Sequence, residues 1–269
     1  MDVGVSPAIG LERSDAIIGF GGGATTDLAG FAAATWLRGV DWYAIPTSLA
    51  GMVDAAIGGK TGINAQSGKN LIGSFYSPSG VFIDIKYLSK LPNRDLSAGL
   101  AEVIKCGFIS DYKILNLVQD DVLDFENLIS RAVKVKANVV AKDFKESKIR
   151  EVLNYGHTLG HAIEKDSKYK LRHGEAVSIG MVYAAELSRE LLGLADEIVE
   201  LHRVLLGNLN LPTSYPKSRW SSLVDLLLKD KKVKQGKVRF IGLSKIGKPV
   251  WLEDVPSSTL TKVYERITK

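Results

Sequence analysis

The stretch AIIGFGGGATTDLAGFAAATW, Ala16–Trp36, decides how this chain folds. AIIGF (Ala16–Phe20) is a short apolar run with paired isoleucines and reads as a buried strand. Three glycines follow, and ATTDLAGFAAATW then reads as a helix. WYAIP (Trp42–Pro46) and VFIDI (Val81–Ile85) read as two more buried strands. Strand, helix and strand in alternation predict a parallel sheet. GFGGGA (Gly19–Ala24) fits the pattern G-x-G-x-x-A, in which glycine lets the backbone approach a pyrophosphate at a helix N-terminus. The acid that normally binds the ribose should end the second strand, but Asp41 precedes its strand. A nucleotide turn and a tight-packing turn therefore both fit these glycines.

Further on, MVDAAIGGKTGIN (Met52–Asn64) and SGKNLIGSF (Ser67–Phe75) place paired glycines beside Lys60 and Lys69. The first misses the phosphate-loop pattern G-x4-G-K-[ST], because Asp54 stands where its opening glycine belongs. Two Gly-Lys turns suit a pocket for negative groups, and equally two exposed loops with solvated lysines. After Pro92 the pattern becomes helical. Helices are expected over Leu96–Ile109, Ile114–Val118, Glu126–Ala141, Glu151–Lys165, Glu175–Leu192, Asp196–Leu206 and Ser221–Leu228. VRFIGLS and PVWLEDV, joined by KIGK, read as a hairpin, and Ser257 and Ser258 offer caps for a last helix. The reading is thus an α/β unit with an incomplete parallel sheet over 1–92, followed by a mostly α-helical domain over 93–269.

Composition sets bounds on function. With 45% hydrophobic and 24% charged residues, the 269-residue chain can build a core. No long uncharged apolar run spans a membrane, since the best candidate is rich in glycine and broken by Asp27. The N-terminus shows no basic and apolar leader, and a single cysteine, Cys106, excludes an internal disulfide framework; a cytoplasmic location is the expectation. The net charge of +5 suits phosphates and carboxylates at least as well as nucleic acid. The densest basic stretch, Lys229–Lys234, is interrupted by an aspartate and a valine, so no nucleic-acid partner is expected.

The histidines carry the chemistry. Three of the four, His157, His161 and His173, fall close together, and His202 stands apart. His157 and His161 are four apart and share a helix face, which Arg150 and Asn154 extend at helical spacing. Two histidines from a helix hairpin plus one carboxylate match a catalytic zinc site. HExxH is absent, with Thr158 in place of the glutamate. Glu102 lies in an apolar helix three residues before Lys105, where a plain surface ion pair would explain the two as well as a ligand role.

Taken together, GFGGGATTDLAGFAAATWLRG, IPTSLAGMVDAAIGGKTGINAQSGKNLIGSF, AGLAEVIKCG, LNYGHTLGHAIE, RHGEAVSIGM and DKK resemble the 3-dehydroquinate synthases, in order and spacing, over nearly the whole chain. The resemblance implies a nucleotide-binding domain, a helical domain, and a site between them. It implies that Glu102, His157 and His173 bind zinc or cobalt. Gly23, Ala24, Thr25, Thr26, Asp27, Thr47, Ser48, Lys60 and Lys69 would contact NAD, together with the segment Tyr87, Leu88, Ser89 and Lys90. Asp54 and Asn154 would bind substrate hydroxyls, and Lys105, Lys136 and Arg150 the substrate carboxylate and nearby oxygens. Asn70, His161 and Lys231 would hold phosphate. Arg38 matches an arginine that reaches a neighbouring subunit's phosphate site, which implies a homodimer.

The implied reaction converts the seven-carbon sugar acid phosphate DAHP to 3-dehydroquinate and phosphate, within aromatic amino acid biosynthesis. NAD would oxidise a ring hydroxyl transiently, phosphate would leave, the hydride would return, and an aldol step would close the carbocycle. The family's segment before GFGGGA, with its Glu-x-x-Lys contact to NAD, finds no match. The expectation is a sheet with an open edge and an uncovered apolar face, a half-built cofactor site, and weak NAD binding. Another sugar-phosphate cyclase, a metal-dependent polyol dehydrogenase and an inactive remnant are the competing readings.

Overall fold

The structure, a computed structural model, describes residues 10–65, 68–233 and 238–269, and the side chains of all of these except 230–233. β1 (Ala16–Gly21), α1 (Gly23–Thr35), β2 (Asp41–Pro46) and a two-residue strand β5 (Gly80–Val81) form a parallel sheet of order β1-β2-β5. The strand–helix–strand reading of the opening stretch holds. VFIDI pairs only at its start: the Asp84 carboxylate accepts the Lys86 N–H and opens a 3-10 turn over Ile85–Lys90.

Helix α1 lies directly on the sheet. A Cβ on Gly19 would stand 2.8 Å from the Ala29 Cβ, so close packing alone already requires that glycine. β1 is not buried on both faces as a parallel strand usually is. Ile18 is 62% and Phe20 55% exposed, and Phe82 adds to the same apolar surface. A small core of Ala33, Val40, Trp42, Ala44 and Ala56 closes the other side.

Between the sheet strands the chain makes a π-helical turn, Gly51–Ala55, and an antiparallel hairpin of β3 (Lys60–Ala65) and β4 (Gly68–Phe75). The sequence reading offered loops here. β4 lacks an apolar-inside, polar-outside alternation because most of it is exposed, so its period carried no signal.

The second unit holds α2 (Asn93–Ile109), α3 (Lys113–Leu117), α4 (Phe125–Lys142), α5 (His157–Asp166), α6 (His173–Leu192), α7 (Asp196–Asn208) and α8 (Trp220–Val233). The hairpin β6 (Phe240–Lys245) and β7 (Lys248–Leu252) follows as expected, and then α9 (Ser257–Glu265). Ser257 is the first helical residue there, and Pro256 is the N-cap without a side-chain bond, so the serines do not cap. A larger core surrounds α6, from Ala176 to Leu187, and takes in Leu49, Met52 and Val53 from the first unit.

One expected helix is two elements. Ile149–Asn154 forms a 3-10 turn, and α5 begins afresh at His157. Gly156 sits between them at φ 80°, a left-handed conformation that glycine adopts without cost. Arg150 and Asn154 therefore do not continue the His157–His161 helix face.

Candidate metal and nucleotide site

Three helices bring Glu102, His157 and His173 together, and glycines set the approach. A Cβ on Gly174 would meet the Ala98 carbonyl oxygen at 1.8 Å, so the start of α6 rests on α2 one turn before Glu102. A Cβ on Gly180 would meet the Gly156 oxygen at 1.9 Å, so α6 also touches the start of α5. Arg94 reinforces the first junction with a two-pronged pair to Glu175, at 2.6 and 2.7 Å.

The geometry leaves three electron-pair donors facing one another. His157 Nδ1 lies 3.1 Å from the Tyr155 carbonyl and His173 Nδ1 lies 3.1 Å from Glu164 Oε2. Neither oxygen can donate, so both Nδ1 atoms carry hydrogen and donate. Each Nε2 then faces Glu102 Oε1, at 3.5 Å from both rings. That oxygen is buried and, among the described residues, lacks a hydrogen-bond partner. A carboxylate and two imidazoles in this relation fit a divalent cation, with a further position open to substrate.

Burial opposes charge on Glu102, but Lys105, then His157 and His173, hold its carboxyl well below the usual range. Burial and Lys105 keep His157 neutral. Burial also works against charge on His173, yet Glu102 and Glu164 raise it to about 10. A metal ion would displace that proton. The surface reading of Glu102 and Lys105 is corrected: both are 2% exposed and ion-paired.

His202 takes the other course. It is fully buried, stacks on Phe108 at 3.4 Å, and donates from Nδ1 to the Ile198 carbonyl. Its Nε2 accepts from the Tyr155 hydroxyl at 2.9 Å. Burial pushes its pKa down to about 3. It braces Tyr155, whose carbonyl orients His157.

Beside the three donors lies a cavity of about 410 Å³, lined among others by Lys60, Glu146, Asn154, His157, His161 and Arg239. Lys136 reaches across to pair with Asp54 on the π-helical turn. Burial works against charge on Asp54, and Lys136 still holds it below the ordinary value. Arg150, 2% exposed, donates from Nη1 to the carbonyls of Gly58 (2.9 Å) and Phe144 (2.6 Å). Asn154 donates to Glu146 at 2.9 Å, and Lys60 pairs with the other oxygen of that carboxylate. Glu146 is one residue that sequence reasoning missed. It sits in a loop at φ 58°, and no local pattern marks it.

Asp143 shapes that loop. Its carboxylate accepts the N–H groups of Ser147 (2.8 Å), Lys148 (2.8 Å) and Arg150 (3.0 Å), which hold its pKa well below the carboxylate range. The folded pKa is depressed, so its contribution is fully present above the unfolded value of about 3.9 and is lost as pH falls below it. Asp143→Asn is expected to lower the melting temperature by a constant amount from pH 8 to 5, with the gap to wild type closing below about pH 4. A gap independent of pH down to the acid transition would remove the carboxylate from this role.

Of the residues expected to contact NAD, Gly23, Thr26, Asp27, Thr47 and Ser48 gather at the carboxyl ends of β1 and β2. Gly22 caps α1 without a side-chain bond. A side chain on Gly23 would meet the Ala55 Cβ at 3.0 Å. Thr47 donates its N–H to the Gly21 carbonyl, and Ser48 Oγ accepts the Gly51 N–H. Thr26 is buried, and its hydroxyl donates to the Gly23 carbonyl. Ala24 and Thr25 stand exposed on the first turn. Burial, then Asp54, raises the Asp27 pKa to about 6. An uncapped helix N-terminus at a cleft walled by glycines fits a dinucleotide phosphate.

Lys60 and Lys69 are not simply solvated, since Glu146 and Glu164 pair with them. Tyr87, Ser89 and Lys90 lie on the 3-10 turn after β5, whereas Leu88 is 6% exposed and turns into the core. Asn70 donates to Asp27 at 3.3 Å and lines a second cavity with it, while His161 lines the cavity beside His157. The contacts thus put these two expected phosphate residues on different cavities. The Lys231 side chain lies outside the described residues. Arg38 stands exposed at φ 68° on the 3-10 turn after α1.

Comparison with known proteins places the whole chain. The family models for the 3-dehydroquinate synthase N-terminal and C-terminal regions match residues 5–98 and 99–233. A 3-dehydroquinate synthase of Paenarthrobacter aurescens is 53% identical over 265 residues, which cover 96% of this chain and 73% of the relative. Among solved structures, a 2-epi-5-epi-valiolone synthase from Streptomyces hygroscopicus subsp. jinggangensis, with NAD+ and Zn2+ bound, superposes with a TM-score of 0.87 at 26% identity. It covers 98% of this chain and 77% of that one. A 2-deoxy-scyllo-inosose synthase complexed with carbaglucose-6-phosphate, NAD+ and Co2+ gives 0.83 at 28% identity, with 97% and 76% covered. By the family models and the relatives that it matches, the chain belongs to the 3-dehydroquinate synthase family.

Proposed function

We propose that the chain is a carbon–oxygen lyase that converts DAHP to 3-dehydroquinate and phosphate, with catalytic NAD and one zinc or cobalt ion. The observation that carries this reading is the buried Glu102 oxygen facing the Nε2 atoms of both His157 and His173, with Lys105 paired to the same carboxylate. When bound, NAD supplies a temporary hydride acceptor, and the ion polarises the oxygens of the reacting carbon.

The chain's own residues do the rest. Lys136 and Arg150 neutralise the substrate carboxylate inside a site shielded from water, where a charge-assisted bond is strong. Lys105 is already spent in part on Glu102 and keeps two donors for a neighbouring oxygen. Asp54 and Asn154 orient hydroxyls, and phosphate is assigned to His161, Asn70 and Lys231. Glu146 holds Lys60 and Asn154 in position until substrate replaces those contacts. Holding one conformer of the ring directs the order of steps. The division at Pro92, a dimer formed through Arg38 and a cytoplasmic location belong to the same proposal. Among the described residues, no helix is long and apolar enough to cross a membrane.

The test is product analysis with DAHP. Phosphate and 3-dehydroquinate should form in equal amounts, with NAD required but not consumed and without build-up of NADH. Chelation should stop the reaction and zinc or cobalt should restore it. Steady NADH production from a polyol would instead indicate a dehydrogenase. Turnover of a neutral sugar phosphate in preference to DAHP would point to a sister cyclase.

A further inference from the structure

Glu164 belongs to none of the roles assigned above, yet it is 5% exposed and sits next to the site. It lies on α5 one turn after His161. Its Oε2 is 3.1 Å from His173 Nδ1, and its Oε1 is 3.2 Å from Lys69 Nζ on β4. Lys69 also stands 4.2 Å above the Tyr169 ring. We propose that Glu164 is a positioning residue for the metal: it fixes the tautomer of His173 that offers Nε2 to the ion, and it ties that ligand to the hairpin carrying Lys60, Lys69 and Asn70.

The two imidazoles differ in what stands behind them. His157 leans on a neutral carbonyl, and His173 on a carboxylate. A carboxylate behind a ligating imidazole holds the ring and makes it a stronger donor. His161, Glu164 and His173 also lie close enough to form a second set of donors. Lys69 decides against a second ion there, because its ammonium already occupies the free oxygen of Glu164 and repels another cation. One contact chain, Lys69–Glu164–His173, therefore joins the nucleotide-side hairpin to the metal.

This inference rests on Glu102, His157 and His173 being the ligands. It is tested by titrating the full chain with cobalt(II) in the absence of NAD, which reads the site without turnover. Wild type should bind one cobalt. Glu164→Ala should also bind one, about 10- to 100-fold more weakly and with a shifted visible band. Glu164→Gln keeps the acceptor oxygen and loses the charge, so it should recover part of both losses. Equal melting temperatures of the metal-free proteins keep the effect apart from folding. Wild-type affinity and spectrum in Glu164→Ala would overturn the proposal. So would two cobalt ions in wild type falling to one in that variant, which would make Glu164 a ligand. A wild type that binds no cobalt would instead overturn the three-donor reading on which this one stands.

Discussion

His157→Ala is expected to abolish stoichiometric metal binding and to lower turnover of DAHP by about 10³-fold or more. The ion contributes several kcal/mol of charge stabilisation in such reactions, and each 1.36 kcal/mol is a tenfold change in rate. Two donors remain, Glu102 and His173, but the tautomer-fixed Nε2 of His157 is gone. Glu102→Ala should remove the metal as well and differ in one respect. It strands the Lys105 ammonium, 2% exposed, without its partner, and breaking a buried pair costs about 3–5 kcal/mol. The two variants should therefore be equally inactive, with only Glu102→Ala losing stability when both are compared with chelated wild type. Metal analysis and thermal melts with and without chelator decide it. Because His173 keeps its proton up to about 10, metal binding should release one proton and weaken about tenfold for each pH unit lowered. A His157→Ala enzyme with full zinc and full turnover would sink the ligand assignment.

Gly180→Ala should be among the most damaging single-methyl substitutions, beside Gly174→Ala. The added Cβ would stand 1.9 Å from the Gly156 oxygen and 3.1 Å from the Gly160 nitrogen, backbone atoms that cannot rotate away. Overpacking a core by methylenes costs about 1–3 kcal/mol, and a contact with fixed backbone belongs at or above that upper end. At about 2 °C per kcal/mol for a chain of this size, the melting point should fall by about 6 °C or more. Gly156 leads into His157, so α5 must shift to relieve the clash, and zinc should bind more weakly at the same time. Gly207→Ala on α7 is the control. A Cβ there meets nothing within 4 Å, and alanine in a helix gains up to about 1 kcal/mol over glycine. Equal melting points for the two variants would mean that α5 and α6 are not packed as tightly as the structure has them.

Local signals carried most of the first unit and the helices of the second. The glycine turn after AIIGF, the apolar period of α2, α4 and α6, and the late hairpin follow from neighbours within one or two turns. The break before α5 escaped notice because Tyr155 and Gly156 interrupt an otherwise helical spacing, and a lone glycine within a helical pattern is tolerated as often as it breaks one. The β3–β4 hairpin escaped because its exposed strands lack alternation. Glu146 and Glu164 could not be read as site residues, since acids are common in polar loops and on helices and nothing near them in sequence shows what they face.

The sequence by itself determined an α/β unit followed by helices, a glycine turn between a strand and a helix, and three histidines close enough in sequence to suggest a metal. Resemblance added Glu102 to them. Only the tertiary structure decided that Glu102 is buried with Lys105 rather than paired on a surface, and that His202 is a core residue. It alone turned the Nε2 atoms of His157 and His173 toward one oxygen. The physical reason is that helical period places a side chain on a face, whereas the distance between faces depends on how closely two backbones approach. Here that approach is set by Gly174 against Ala98 and Gly180 against Gly156, contacts between residues far apart in the chain.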